Sequence, residues 1–522
     1  MRPLIRAVGV LCLASLVAAP GALASRAASP PPAARGLLSI RSGDTAIVQL
    51  EPSVSPAAGA TLLSRRLRIW RVPGRLLPAL LARGGVQVVE RDEPAHLSLE
   101  PLQSTEYWRP LIGADSAVAP GPGKPITVLD TGIDLAHPEF AGRPNTIILG
   151  PQTLADSGDD FHGTAVSSVA AAPENGAGVL GVYPQAVLRS VDVRQLRTSD
   201  VIRGLSLAIE AGPSVINMSF GVPTSQLLTD TVAVAFRTGS ILVAAAGNER
   251  QLGTPIAAPA NLNHVLTVAA TDSQNRVASF SSASLQVDLA APGVNIEAAI
   301  PRAFNPDLYD DVSGTSFSAP IVTGATAWVW TARPQLDQTQ IFDLMRYSAT
   351  DLGQAGFDRD TGFGLLNIPG ALTIPAPPSD GQEPNDDIRD VRPNGLFRLP
   401  TTPITSPGHA RATVRARLDL TEDPEDVYRV YVPPARIVRL TIAPDTDVDV
   451  DLWKPTATTV FARGADRVRN LLATGGRHGR TPERVSVRNR TKRGFYAYLD
   501  VYLPRNGPLD AAYTVSAATA RR

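Results

Sequence analysis

The sequence predicts an α/β protein: a mainly parallel sheet covered by helices on both faces, with a small α+β unit before it and a β-sandwich after it. Three observations carry that reading. From Pro125 to about Pro375, short apolar runs alternate with helical patterns; the Pro-rich run Ile374–Asp380 closes the region; and beyond it helix periodicity stops. At 522 residues the chain exceeds one compact core, so several units are expected. Lys plus Arg number 49 and Asp plus Glu 49, a balance that gives no electrostatic basis for nucleic acid or an anionic membrane as partner.

At the start of the chain, Arg2 and Arg6 precede the apolar stretch Ala7–Ala18, and Ala22-Leu23-Ala24 has a small-x-small cleavage pattern. Residues 1–24 therefore read as an export signal, the competing reading being a buried N-terminal helix. The one cysteine, Cys12, falls inside it, which leaves the processed chain without a thiol or disulfide. No other apolar run reaches about 18 residues, so no membrane span is expected once the signal is removed. Residues 25–45 open on SRAASPPPAARG and read as a disordered spacer.

Within 46–97, Ala46–Leu50, Leu67–Val72 and Val86–Glu90 read as strands, and Leu76–Ala82 as a short helix stopped by Gly84-Gly85. The region 98–373 follows, with strands expected at Ile126–Leu129, Val187–Val193, Val215–Met218, Ile241–Ala246 and Val265–Ala269. Helices are expected at Thr164–Ala172, Asp200–Ala211 and Leu227–Thr238. Apolar strands of this kind are buried on both faces, and such sheets place their sites at the strands' carboxyl ends. Residues 374–382 form a Pro-rich linker. In 383–522, strict alternation over Asp447–Trp453 puts Val448, Val450 and Leu452 on one face and Asp447, Asp449 and Asp451 on the other, which reads as a solvated face. With Val427–Val432, Ile437–Ile442, Phe495–Leu503 and Tyr513–Ser516 this makes a small sandwich.

Four residues are candidates for chemistry. Asp130 ends a strand and precedes Thr131-Gly132, where a sheet presents a fixed charge; alone it reads as a cap or turn former. His162 opens a small-residue helix, whose positive end disfavours imidazolium, so a base there needs a carboxylate such as Asp130 beside it. Alone it is a surface or capping histidine. Ser316 precedes the longest helical pattern, Phe317–Ala332, with Pro320 expected in its first turn; a hydroxyl there lies among unpaired N–H groups that can also stabilise an oxyanion, although a lone Ser is an ordinary N-cap. Asn248 follows three alanines and a glycine, which leave room for another chain near its amide; alone it is a turn asparagine.

Taken together the segments become specific. Val128-Leu129-Asp130-Thr131-Gly132-Ile133-Asp134, His162-Gly163-Thr164, Ala246-Gly247-Asn248 and Gly314-Thr315-Ser316-Phe317-Ser318-Ala319-Pro320 resemble, in order and spacing, the four motifs of the subtilisin-like (subtilase) serine peptidases, over about residues 100–372. The resemblance implies a three-layer fold and an Asp130-His162-Ser316 triad with Asn248 as oxyanion donor. Phe161 and Phe317 depart from the glycine and methionine common at those positions, and Ala165 stands where many members carry a second histidine. Lys124 is the only lysine before Lys454, which leaves a Ser–Lys dyad almost no candidate.

The resemblance further implies that Ser219, Phe220 and Gly221 pair with an extended peptide, and that Ala245, Ala246, Gly247 and Ala257 line an apolar primary pocket, with Glu249 near its rim. No cofactor is needed for the chemistry. Calcium is common in the family, and Glu139, Asn175 and Glu100 match positions that often ligate it, the competing reading being carboxylates that face water. The unit at 46–97 resembles an inhibitory propeptide cut off autocatalytically between Asp92 and Gln103; the alternative is a domain that stays attached. Glu383-Pro384-Asn385-Asp386 resembles the start of a pre-peptidase C-terminal domain. The function implied is a broad endopeptidase acting on proteins or peptides outside the cell, in the medium, the periplasm or at the cell surface. Its competitors are a narrow maturation peptidase for one exported substrate and a non-catalytic adhesion protein, and retention of all four catalytic side chains argues against the last.

Overall fold

The computed structural model describes residues 40–92, 100–153, 160–505 and 507–520. The expected signal, Cys12, residues 25–39 of the spacer and part of the expected cut region lie outside the described residues. The chain divides into two compact units, 1–97 and 98–522. In the first, strands Thr45–Leu50, Thr61–Ser64, Ile69–Pro73 and Val86–Arg91 make an antiparallel sheet, closed by helix Leu77–Leu81 over a core of Val48, Leu50, Val72, Leu77 and Leu80. Thr61–Ser64 was not foreseen, because its Leu62 and Leu63 are both exposed and break alternation.

The second unit is built on seven parallel strands: β1 (Ile126–Asp130), β2 (Thr146–Ile148), β3 (Leu188–Asp192), β4 (Val215–Met218), β5 (Ile241–Ala245), β6 (Val265–Thr271) and β7 (Leu289–Pro292). Their order is β7-β6-β5-β4-β1-β3-β2. Every residue of β1, β4, β5 and β6 is buried, as unbroken apolar runs require. Helices α1 (His162–Ala171) and α4 (Thr315–Ala332) pack on each other, and so do α2 (Thr198–Glu210) and α3 (Gln226–Arg237), giving a helical layer on each side of the sheet. The strand order reverses around β1, so its carboxyl end opens onto the crevice where α/β sheets carry their sites. The short edge strand β2 and the strand β7 were not foreseen.

Helix α4 starts at Thr315, two residues earlier than the sequence pattern suggested, and this corrects the placement of Pro320. It lies inside the helix, past the first turn. With no N–H, it cannot donate to the carbonyl four residues back, that of Ser316.

Residues 411–520 form two antiparallel four-stranded sheets over a common core that includes Tyr428, Val450, Leu499 and Val515. The expected solvated aspartate face is a second correction. Asp451 is 1% exposed and ion-pairs with Arg467 of helix Gly464–Asn470. On the same sheet, Trp453 and Tyr498 pack with Ile388 and Val460 in a further small core. Chain segments thus cover the Asp451 end of the face that alternation alone assigns to water, while Asp447 and Asp449 stay partly exposed.

This sandwich meets the amino end of the parallel sheet at a seam. Arg346, 2% exposed, bridges Asp288 at 3.0 Å and Asp419 of the sandwich at 2.7 Å. The His264 N–H donates to Glu422 at 2.7 Å, and Arg389 ion-pairs with Asp230. Residues 374–380 run along the catalytic fold, held by Arg333 on the Ile374 carbonyl and Gln340 on that of Pro377. Among the described residues no helix is long and apolar enough to cross a membrane.

Candidate active site

Asp130, the last residue of β1, is 3% exposed. Its Oδ1 accepts the Thr131 N–H at 2.8 Å, and its two oxygens lie 2.8 and 3.0 Å from His162 Nδ1. A carboxylate only accepts, so Nδ1 carries the hydrogen and Nε2 carries the lone pair of the neutral ring. Two devices set this register. The Thr131 hydroxyl donates to the Asp160 carbonyl at 3.1 Å and accepts the Gly163 N–H at 2.9 Å, tying the end of β1 to the start of α1. A Cβ at Gly163 would collide with the Gly132 carbonyl, so only glycine permits the approach. Arg194, just beyond β3, donates to the Thr131 carbonyl at 3.1 Å and pairs with Asp192 at 2.9 Å and Asp160 at 3.4 Å.

Ser316 is held from the sheet side. Because Pro320 leaves its carbonyl without a helical donor, the Ser219 hydroxyl donates to it at 2.8 Å. Asn217 in β4 donates to Ser219 Oγ at 2.9 Å, and Thr323 of α4 donates to Asn217 Oδ1 at 3.0 Å. The Ser316 hydroxyl donates to the Ser219 carbonyl at 3.3 Å. Ser219, expected only as a substrate contact, is thus also a support of the serine.

Asn248 follows β5, with its Oδ1 accepting both the Thr315 N–H and the Thr315 hydroxyl at 3.0 Å. Those bonds orient the amide, leaving Nδ2 as a free-facing donor on an exposed residue. Gly314 has φ +152°, and a Cβ there would come 3.3 Å from Nδ2. Asn248 and Ser316 share a cavity of about 380 Å³ with Phe220, Gly221, Ala245, Ala246, Gly247 and Ala257. Of the residues expected to face substrate, only Ser219 is outside that lining. Glu249 lines it as well, its carboxylate folded against Gly247.

The subtilase family model matches residues 121–364 of the chain. Subtilisin E of Bacillus subtilis (strain 168) is 35% identical over 296 residues, which cover 55% of this chain and 75% of that protein. The chain belongs to the subtilase family. A subtilisin of Bacillus pumilus is 36% identical over 253 residues, 47% of this chain and 90% of the relative. The crystal structure of a psychrophilic subtilisin-like protease from the Antarctic Pseudoalteromonas sp. AS-11 superposes with a TM-score of 0.46 at 18% identity, covering 51% of this chain and 96% of that one. As a subtilase, the protein is a serine endopeptidase, a hydrolase of peptide bonds.

The residues matched to calcium ligands are tied to one loop, residues 175–179. Glu139 and Glu100 are 0% and 1% exposed, so neither faces water. Glu100 Oε1 accepts the N–H groups of Asn175 and Gly176 at 2.5 and 2.9 Å. Glu139 Oε1 accepts the Val179 N–H at 2.9 Å and the Tyr309 hydroxyl at 3.0 Å, and Glu106 Oε1 accepts the Leu180 N–H at 3.1 Å. Asn175 Oδ1 accepts the Ala177 N–H at 2.9 Å. Burial pushes Glu139 up to about 8 and Glu106 up to about 9, so both carry protons at neutral pH. Those N–H donors reach only Oε1; Glu106 Oε2 and Glu139 Oε2 are buried without a hydrogen-bond partner, so carboxyl oxygens of the kind a hard cation takes as ligands remain at this loop. Elsewhere among the described residues, His264, Glu383 and Asp386, and Asp380, Glu383 and Asp426, bring possible ligand atoms within 4.8 Å of one another. Both groups belong to the seam.

Thr131, Arg194, Asn217 and Thr315 were not singled out from the sequence. Thr131 and Thr315 lie inside the quoted motifs, which was the available signal; Arg194 and Asn217 carry none, because the contacts that tie them to the site, with Thr131 and Asp160 for Arg194 and with Thr323 for Asn217, lie far along the chain.

Proposed function

We propose that Asp130, His162 and Ser316 act as the catalytic triad of a secreted, broad endopeptidase with an apolar primary-site preference, and that Asn248 Nδ2 and the Ser316 N–H form its oxyanion hole. The observation that carries the reading is the Asp130–His162 pair at 2.8 Å, with Ser316 and Asn248 on one cavity. His162 Nε2 takes the Ser316 proton as Oγ attacks the peptide carbonyl, and Asp130 holds the ring and stabilises the imidazolium. Charge that develops on the carbonyl oxygen meets Asn248 Nδ2, whose orientation Thr315 has already fixed, so little reorganisation is needed. His162 then protonates the leaving amine, and water repeats the sequence on the acyl-enzyme.

Ala245, Ala246 and Ala257 line the cavity for the side chain before the cut and favour uncharged, apolar groups. Glu249 supports a second acceptance, of long basic side chains whose charge reaches its carboxylate. Glu249→Gln should lower cleavage after Lys or Arg relative to Leu by roughly fivefold, since one partly exposed ion pair contributes about 1 kcal/mol.

Maturation belongs to the same proposal. Residues 46–97 would act as intramolecular inhibitor and be cut off by the enzyme, and residues 1–24 would direct export. Protein recovered from the medium should react with a serine-directed organophosphate at Ser316, located by peptide mass spectrometry, and Ser316→Ala should stay unlabelled and keep residues 46–97. Folded, processed protein that takes up no label would end the triad assignment. Digestion of an unstructured protein separates the broad reading, with cuts after many apolar residues, from a peptidase devoted to one substrate.

A further inference from the structure

The triad histidine stands in a row of aromatic rings. Phe317 lies 5.5 Å from the His162 ring at 51°, Phe161 lies 6.4 Å from it edge-on at 69°, and Phe304 lies 5.7 Å beyond Phe161 at 58°. Phe317 is 5% exposed, while Phe161 and Phe304 are half-buried against the main core and keep apolar surface open. Phe304 sits on a closed turn between Ile300 and Leu308. The Ile300 N–H donates to the Leu308 carbonyl at 2.7 Å, the Phe304 N–H donates to that of Pro301 at 2.9 Å, and the Leu308 carbonyl also meets His137 Nε2 at 2.9 Å. The ring is therefore carried on a braced segment.

None of the three phenylalanines lines the cavity that takes the side chain before the cut; that cavity is bounded by Phe220, Gly221, residues 245–249, residues 255–257, Thr315 and Ser316. A peptide whose carbonyl lies between Ser316 and Asn248 must place its leaving nitrogen against His162, which protonates it. The residue after the cut therefore passes along the His162 ring, beside the open apolar surface of Phe161 and Phe304, while the buried Phe317 packs against the same ring. We propose that Phe161 and Phe304 form the binding wall for the leaving-group residue, with Phe317 bracing the His162 ring, and select an aromatic or large aliphatic side chain there. Offset and edge-to-face ring packing suits such a side chain, and a charged one would lose hydration against an apolar wall. The inference rests on the triad proposed above.

It is tested by letting amines compete with water for the acyl-enzyme. A chromogenic ester of an N-acylated apolar amino acid acylates Ser316, and amides of phenylalanine, leucine, glycine and aspartate are supplied as nucleophiles. The amine nitrogen bonds to the acyl carbon, the bond to Ser316 Oγ breaks, and the amine proton passes through His162 to Oγ, giving a peptide in place of the free acid. Phenylalaninamide and leucinamide should be captured roughly tenfold or more better than glycinamide, the scale a hydrophobic subsite reaches, and aspartate amide no better than glycinamide. Phe304→Ala and Phe161→Gly should each cut the phenylalaninamide-to-glycinamide ratio at least about threefold. Acid and peptide arise from one acyl-enzyme, so general damage cancels in the ratio, and Phe304→Leu serves if the alanine variant does not fold. Equal capture of glycinamide and phenylalaninamide by the wild type overturns the inference, as does a ratio unmoved in both variants. An enzyme that cleaves the ester but shows flat capture loses only this inference; one that never cleaves the ester loses the triad reading with it.

Discussion

Asp130, Thr131, Asn217, Ser219 and Asn248 at the carboxyl end of the sheet each meet partners set by backbone or neighbouring side chains, at 2.8–3.3 Å. The seam at the sheet's amino end is built the other way. There Glu383 Oε1, Asp380 Oδ2, Glu422 Oε1 and Asp423 Oδ1 are buried without a hydrogen-bond partner, and Arg346 is shared between Asp288 and Asp419. Burial pushes Glu383, Glu422 and Asp423 well up, Asp426 to about 6, Asp390 to about 7 and Glu425 to about 8. The cleft orients the groups proposed to react; the seam joins two folds with acids that keep their protons. Polar burial thus serves chemistry where partners are fixed, and couples stability to solution conditions where they are missing.

Separate mutations should pull these two regions apart. Asn248→Ala should lower kcat about 100- to 1,000-fold with KM nearly unchanged, since its Nδ2 meets charge only in the transition state; steady-state kinetics on a peptide anilide checks it, and a purely KM effect contradicts the oxyanion role. Arg346→Ala should act in the opposite sense, costing about 3–5 kcal/mol of stability by leaving Asp288 and Asp419 buried without their cation. Denaturant unfolding measures the loss, and activity per folded molecule should stay near wild type. A variant as stable as wild type would mean that the seam carries no linked charge.

The pH dependence sharpens the contrast further. The raised seam acids bind protons more tightly folded than unfolded, so the native state holds more protons from about pH 4, the ordinary carboxyl range, up to the folded values near 6–8. Their contribution is whole at the acid end of that window and is lost as pH rises. The urea midpoint in chelator-containing buffer should fall from pH 5 to pH 8, and Glu383→Gln should flatten the fall. A midpoint that rises across this range would reject the account. The smallest effect is expected at Glu139→Gln, under about 1 kcal/mol by thermal melting, because the carboxyl group already carries a proton at neutral pH and the amide keeps its acceptor oxygen.

The segments that meet at the cleft were legible in the sequence because the groups proposed to react sit in short local segments: an aspartate at a strand end, a histidine and a serine at helix starts, an asparagine after small residues. The parallel sheet was legible for a similar reason, since β4, β5 and β6 are unbroken apolar runs. Edge strand β2, three residues long, has too little pattern to read. The seam was not legible at all. Asp288, Arg346 and Asp419 are each ordinary surface residues by type, and only the fold brings them together. Asp451 was misread on the same ground, since alternation reports two faces but not what covers the second. The position of Pro320 was missed by two residues of helix start, and with it the role of Ser219.

That proline changes what the nucleophile belongs to. An ordinary helix would clasp the Ser316 carbonyl within its own ladder, so the serine would move wherever the helix moved. Here the ladder lacks one rung, and the sheet's Asn217–Ser219 pair fills the gap. The serine therefore inherits its coordinates from the same sheet that carries Asp130 and leads into Asn248, and one rigid body becomes the common frame of reference for the proposed attacking atom, the carboxylate that holds the proposed base, and the proposed oxyanion donor.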